Sequence, residues 1–533
     1  MISLKICVII YINEKRKGFL EKEIMVINMN NTFIDSIKRA TNFIETENGA
    51  VAHKTTLNKV YDMFAFGGAY RQRNDEDCIL LFKNAFEQDA DLALKCLFYL
   101  RDIRGGQGER RFFRVCFRWL AQEYPEVAKR NLINIAEYGR YDDLYCVVGT
   151  SIENDMFALI ARQLKTDLNS YNEGPNVGIS LLAKWVKSEN ASSEETKYLA
   201  NRTRTYLGLT HKDYRQLLSA LRGRINIVEK LMSAGELDKI EFDKLPSKAG
   251  FIYKNAFARN DITAERYKEF LNNKETKMNA STLFPYEMVR DVTKTLNHWS
   301  YEPEEEMTEE TRKAINKAWA NKKDYLNGAD CKIMSVIDTS GSMTSCGYSV
   351  APIDVAIALG IYTAEGLNGP FHNHFISFAS RPQFIEVEGI DFVDKVKRIY
   401  AQNLVDNTDL TATFALLKEI ALTPGVNQSD LPETLVVVSD MEIDGGSYWR
   451  GDKKLTEMER IRQEWLDAGL KMPNLVYWNV NARHNTILED ADTSGITYVS
   501  GCSPVIFEGI LTGKSGIDLK LDKLNSSRYT QIK

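Results

Sequence analysis

Residues 338–342 read Asp338-Thr339-Ser340-Gly341-Ser342, directly after the apolar run 333–337 (IMSVI). A carboxylate and two hydroxyls on alternate residues of one turn present three hard oxygens to one point. Hard oxygens in a small octahedral cage suit Mg²⁺, or Mn²⁺, which keeps some of its water and takes few protein ligands. Two other places offer groups of the same kind. Thr408 stands in Asp406-Asn407-Thr408-Asp409, just before a helical stretch, and Asp440 ends the run 435–440 (LVVVSD). The candidate metal ligands are therefore Asp338, Ser340, Ser342, Thr408 and Asp440. One or two coordination positions remain for water or for a partner's carboxylate. Asp406 and Asp409 add carboxylates that alter the affinity or compete as ligands. The plainer alternative is that Ser340 and Ser342 only cap the next helix.

The elements that must hold these groups follow from hydrophobic periodicity. From residue 32 to about 299 apolar residues recur at three and four, as in Leu92, Leu94, Cys96, Leu97 and Leu100, then Phe112, Phe113, Val115, Cys116, Trp119 and Leu120. Gly105-Gly106-Gln107-Gly108 separates those two helices, and Tyr138-Gly139-Arg140 marks another joint. Short helices with short polar turns over this length predict a helical-repeat solenoid. Residues 302–310 (EPEEEMTEE) carry six Glu and no basic residue, as an acidic linker does. Residues 311–326 follow as an amphipathic helix, expected to pack between the halves with Trp319 buried and the metal loop left exposed. Beyond it strands and helices alternate: a strand at 333–337, a helix at 351–365, a hairpin at 375–378 and 384–387, a helix at 411–420, a strand at 435–438, a helix at 454–468 and a strand at 475–480. Continuous β-branched runs between helices predict a mainly parallel sheet covered on both faces.

Asp338-x-Ser340-x-Ser342, Thr408 and Asp440, in that order and spacing, resemble the metal-ion-dependent adhesion site (MIDAS) of von Willebrand factor A domains. The resemblance implies a doubly wound α/β domain. It also implies a divalent ion surrounded by the first Asp, both Ser and the Thr, with the last Asp acting through water. The family commonly has Gly-Gly before the Thr, where this chain has Asp406-Asn407. A helical N-terminal half followed by such a domain is similar to the Ro ribonucleoprotein (TROVE) architecture. It is more closely similar to an uncharacterised bacterial, phage and plant family with the same layout. The stretches that carry this are 101–111 (RDIRGGQGERR), 138–144 (YGRYDDL), Lys184-Trp185-Val186, 214–222 (YRQLLSALR), 283–286 (LFPY) and 500–503 (SGCS). The match to the uncharacterised family covers nearly all of residues 32–515. The implied fold is multidomain: an all-α, HEAT-like helical-repeat half and a C-terminal von Willebrand factor A domain.

Residues 95–118 hold seven basic residues against Asp102 and Glu109, and residues 201–230 hold seven against Asp213 and Glu229, a local +5 in each. Such segregation on a concave helical surface fits phosphate neutralisation, and Ro proteins bind RNA through a ring of helices. The candidate RNA contacts are Arg101, Arg104, Arg110, Arg111, Lys184, Arg202, Lys212, Arg215 and Arg222, with Tyr138, Tyr141 and Trp185 as possible stacking partners. Solvated helix faces with local ion pairs are the alternative. Other motifs fail. His372-Asn373-His374 lacks a second metal-binding segment, and the Gly-rich turn at 105–108 lacks the GKS/T ending of a phosphate loop. Cys346 has no paired His to make it a nucleophile.

The chain has 533 residues, 44% apolar and 26% charged, which is ordinary for globular proteins and allows three or four domains at ~150 residues each. Its net charge of −5 excludes a polycation, so any nucleic-acid contact must be local. Eight scattered Cys without a CxxC pair exclude a zinc ribbon and point to reduced thiols in the cytoplasm. No run approaches the ~18 apolar residues of a membrane span. Residues 6–12 (ICVIIYI) are followed by Asn-Glu-Lys-Arg-Lys, the wrong flank for a signal peptide, so residues 1–31 read as unstructured or as an over-extended start ahead of Met25 or Met29. The expected domains are 32–300 (helical repeat, TROVE-like), 301–328 (linker and junction helix) and 329–533 (A-like domain). The expected function is a Ro-like ribonucleoprotein component that binds small or misfolded RNA, with a Mg²⁺-dependent domain engaging a second ligand. The rival is a metal-dependent protein-binding adaptor without RNA, and a metal-dependent hydrolase is the weaker third reading.

Overall fold

The computed structural model describes residues 32–225, 227–296, 306–344, 350–378, 380–402, 407–451 and 453–533. The start 1–31, most of the acidic linker, Cys346 and Asp406 lie outside the described residues. The described residues up to Ile44 form a unit of their own, with one helix at Thr32–Ala40, and residues 45–533 form a second unit.

The second unit begins with helices. Those used below are α1 (Lys59–Phe66), α2 (Asp75–Gln88), α3 (Ala90–Arg101), α4 (Arg110–Glu123), α5 (Glu153–Glu173), α6 (Glu194–Tyr206), α7 (His211–Ile225), α8 (Ala264–Asn272), α9 (Pro285–Thr293) and α10 (Glu309–Ala320). Their starts carry the chemistry the sequence advertises. Asn58, Asn74, Asp89, Ser193 and Thr308 each accept a hydrogen bond from a first-turn N–H of α1, α2, α3, α6 and α10. The turn between α3 and α4 closes so tightly that a Cβ at Gly106 would lie 1.9 Å from the Tyr99 carbonyl oxygen.

The C-terminal part is built on one six-stranded sheet: β1 (Ile333–Asp338), β2 (His374–Phe378), β3 (Gln383–Glu386), β4 (Thr434–Ser439), β5 (Asn474–Asn479) and β6 (Ile496–Ser500). The order is β6-β5-β4-β1-β2-β3, parallel throughout except for β3, the second strand of the expected hairpin. Every residue of β1 and β6 is buried, as a sheet covered on both faces requires. The accompanying helices are α11 (Pro352–Gly366), α12 (Phe392–Ala401), α13 (Leu410–Ala421), α14 (Glu457–Asp467) and α15 (Gly516–Leu524). The helix expected from Lys454 starts three residues later. Lys453–Leu455 is a strand paired with Tyr448–Arg450, and Thr456 with Glu459 forms a capping box that opens α14.

Helical half and sheet meet in three places. The edge strand β6 is covered by α1: the Tyr498 N–H donates to Tyr61 Oη at 2.8 Å, and the Ser500 hydroxyl donates to the Phe64 carbonyl at 3.1 Å. On the opposite side α9 packs on α11, and α10 lies between α8 and α12. There Trp319 is buried as expected, its ring 3.9 Å from that of Phe392 and its indole N–H donating to Glu365 at 2.7 Å. The third contact is the chain's end. Arg528 pairs with Asp102, the Tyr138 hydroxyl donates to the Arg528 carbonyl, and Tyr529 stacks on Tyr138 at 5.5 Å.

Candidate functional site

Parallel strands end their backbone pairing abruptly, so the loops after β1 and β4 leave polar groups at the sheet's carboxyl edge, the usual place for a site in this type of sheet. Asp338 ends β1 and is fully buried. Its Oδ1 accepts the Ser340 N–H at 2.9 Å, and its Oδ2 accepts the Ser439 hydroxyl at 2.6 Å. The Ser340 and Ser342 hydroxyl oxygens lie 3.0 Å apart. Asp440, also fully buried, accepts the Glu442 N–H at 3.2 Å and a bond from Ser342. Met441 between them has φ 67, the left-handed region that a branched or bulky residue seldom adopts. The turn is held by the Met441 N–H donating to Ser439 Oγ at 2.9 Å. Backbone strain of this kind collects at functional sites.

The electrostatics follow from burial. Asp338 is pushed up to about 7, first by loss of solvent and then by the negative charge of Asp440. Asp440 is raised as well, by burial, against the pull of Arg483. Two buried carboxylates with hydroxyls beside them form a donor set for a hard divalent cation. Among the described residues no group of three or more His, Cys, Asp or Glu gathers. The set therefore suits Mg²⁺ or Mn²⁺, with water completing the shell, and not the N/S cage of zinc.

Thr408 is buried and joins the cluster indirectly. The Asn48 amide donates to Thr408 Oγ1 at 3.4 Å and to the Glu442 carbonyl at 2.7 Å. Asp409 is not a competing ligand. Its Oδ1 accepts the Ala412 N–H at 2.8 Å and caps α13. The expected exposure of the metal loop also fails. Gly341 is exposed and Ser342 half-buried, but Asp338, Ser340, Thr408 and Asp440 are buried. The cause is the turn at residues 46–50, which lies over the strand-end loops. The Thr46 hydroxyl donates to the Ile443 carbonyl at 2.8 Å, and the Glu47 N–H donates to Glu442 at 2.8 Å. Arg483 pairs with Glu47 and places Nη2 3.0 Å from Asp440 Oδ2. That second contact is an ion pair and not an aligned hydrogen bond, since Asp440 Oδ2 has no partner of hydrogen-bond geometry. Asn48, Glu442 and Arg483 carry no motif in the sequence. Only their meeting across more than 350 residues marks them.

The basic residues divide. Arg101 is buried and bonded to Asp143 at 2.8 Å, so it faces no ligand. Arg111 pairs with Asp75, and Arg114 with Asp142 and Asp143. Arg104 is exposed and donates to the Glu137 carbonyl. Arg110 is exposed, and its pKa is lowered by partial burial and by the like charges of Arg140, Arg101 and Arg114. In the second cluster Arg202 pairs with Glu153, Lys184 lies 3.8 Å from Glu229, and Arg222 donates to the carbonyls of Ala183 and Val186. Lys212 and Arg215 are exposed on α7. Of the aromatics, Tyr138 is buried in the core and Trp185 lies under Arg140, whose guanidinium is 3.9 Å from its ring centre.

Alongside α7 run two adjoining cavities of about 560 Å³ each, sharing Ser219 and Lys230. One is lined by Tyr171, Gln216, Arg224 and Lys230, the other by Arg215, Arg222, Glu189 and Glu229 among others. Four cations face two carboxylates there, and Tyr171 on α5 is 37% exposed with Arg224 above its ring. Arg224, Lys230 and Tyr171 were not singled out as contacts from the sequence.

Residues 332–530 match the model of a domain of unknown function (DUF7788), and residues 46–156 and 182–327 match that of a second domain of unknown function (DUF2828). The uncharacterized protein L728 of Acanthamoeba polyphaga mimivirus is 27% identical over 511 residues, spanning 88% of this chain and 84% of that protein. Among solved structures, the Ro (RSR) protein of Deinococcus radiodurans aligns over 88% of this chain and 99% of its own, at 13% identity and a TM-score of 0.46. No helix among the described residues is long and apolar enough to cross a membrane, and Cys78, Cys96, Cys116, Cys146, Cys331 and Cys502 are free thiols.

Proposed function

We propose that this chain is an RNA-binding protein of the Ro-like kind, with a von Willebrand factor A-like domain whose strand-end site takes Mg²⁺ or Mn²⁺. The observation that carries the RNA reading is the open groove along α7. Its cations face solvent with fewer carboxylates, beside an exposed tyrosine, and that combination suits an unpaired strand, whose phosphates need cations and whose bases need flat faces. The first basic cluster plays another part, since its arginines hold Asp75, Asp142 and Asp143 within the fold. Asp338, Ser340, Ser342 and Asp440 would hold the cation, and Thr408 stands one bridge away. A bound cation supplies an open coordination position for the carboxylate of a protein ligand. Asn48 and Glu442 keep the loops in register, and Arg483 balances the charge of Asp440.

The test is fluorescence anisotropy with single-stranded RNA across a salt series. Lys212→Glu with Arg215→Glu should weaken binding at least tenfold at low salt and flatten the salt dependence, because fewer counterions are released. Arg111→Glu should weaken binding far less. Equal effects from both variants, or RNA binding indifferent to salt, would sink the groove as the RNA site.

A further inference from the structure

A cavity of about 520 Å³ lies where the chain's last turns fold back onto the helical half. Its volume falls within the ~300–1,000 Å³ of small-molecule sites. Val505, Ile506 and Leu519 give it an apolar lining, and the buried Tyr99 and Tyr529 stand in its wall. Five cations also line it, Arg104, Lys323, Lys514, Lys523 and Arg528, against Glu508 and Asp522. Three are matched: Lys514 by Asp522, Lys523 by Glu508, and Arg528 by Asp102. Arg104 and Lys323 have no carboxylate within ion-pair distance among the described residues. Arg104 donates to the Glu137 carbonyl at 2.9 Å, and the Lys323 ammonium lies 4.3 Å from the ring centre of Tyr325.

The glycine turn singled out in the sequence borders this cavity. Its N–H groups at Gly105 and Gly106 donate to no backbone hydrogen bond among the described residues. A Cβ at Gly105 would sit 2.8 Å from Arg528 Nε, so only glycine lets the turn approach the cation. Unmatched cations beside free backbone N–H groups favour an anion. The apolar lining favours an uncharged body behind that anion, and the volume exceeds what inorganic phosphate fills.

We propose that this cavity binds a phosphomonoester of nucleoside size, with its phosphate toward Arg104, Lys323 and the Gly105 turn and its body against Val505, Ile506 and Leu519. The site is separate from the RNA groove and from the strand-end cation site, and it rests on neither reading. Isothermal titration of the full chain with adenosine monophosphate, adenosine and inorganic phosphate tests it. The monophosphate should bind, and adenosine and phosphate should each bind at least tenfold more weakly. Arg104→Ala with Lys323→Ala should weaken the monophosphate at least tenfold without lowering the melting temperature, since both side chains are exposed. The charge-keeping pair Arg104→Lys with Lys323→Arg should retain binding, and the Lys212→Glu, Arg215→Glu variant should leave it unchanged. No binding of the monophosphate at millimolar concentration, equal binding of adenosine, or an unaffected double-alanine variant would each overturn the proposal.

Discussion

Asp338 and Asp440 are two carboxylates buried within reach of each other's charge, and that arrangement costs stability unless something positive lies between them. Asp338→Asn keeps the shape and the bonds to Ser340 and Ser439 while removing one charge. Mn²⁺ binding measured by titration calorimetry should vanish, while the melting temperature of the metal-free protein should hold or rise. Unchanged Mn²⁺ affinity rejects the site. Arg483 makes the opposite prediction. Its guanidinium already offsets Asp440, so a divalent cation must share or displace it. Arg483→Gln should tighten Mn²⁺ binding several-fold, about 1 kcal/mol. Equal affinity in wild type and variant would mean that Arg483 only ties the Glu47 turn in place. Neither Arg483 nor Asn48 is legible as a site residue in the sequence. Each is an isolated polar residue whose meaning comes from a partner hundreds of positions away.

At the scale of one element, α10 shows what amphipathic patterning can and cannot tell. The apolar positions Ile315, Ala318 and Trp319 mark a buried face, and all three are buried. The pattern does not say what that face meets, and the answer is α8 on one side and α12 on the other. Replacing Trp319 with Ala removes the Phe392 stack and the bond to Glu365, and should cost about 3–5 kcal/mol. Limited proteolysis should then cut within residues 306–326 of the variant and spare wild type. Equal cleavage would show that α10 does not clamp the halves. The two basic clusters teach the converse. Equal in composition, they differ in role because Asp75, Asp142 and Asp143 come to α3 and α4 from 28 to 42 residues away.

Across the whole molecule, residues 45–533 hold together through interleaved contacts rather than through one hinge. Helix α1 covers the edge of β6, and the last residues run back to α3 and its following turn. Such a unit should unfold in one calorimetric transition despite its two kinds of architecture. Tyr529 is fully buried and donates to Asp102 at 3.1 Å, so a chain ending at Asn525 should melt well below the full chain. Two separate transitions in the full chain, or a truncation without effect, would contradict this account.

The sequence by itself determined whatever depends on neighbours along the chain. Helical spacing of apolar residues, N-cap residues and β-branched runs fix helices and strands locally, so the change from a helical half to a parallel sheet was readable, as was the hairpin of β2 and β3. The spacing of Asp338, Ser340, Ser342 and Asp440 was readable for the same reason, because a strand-end loop is a local structure. The short edge strand β6, the cover over the cation site and the fate of each arginine were decided by the tertiary structure. A charge is neutralised, and a loop buried, by whichever groups arrive in space, and in this chain those groups come from the far ends of the sequence.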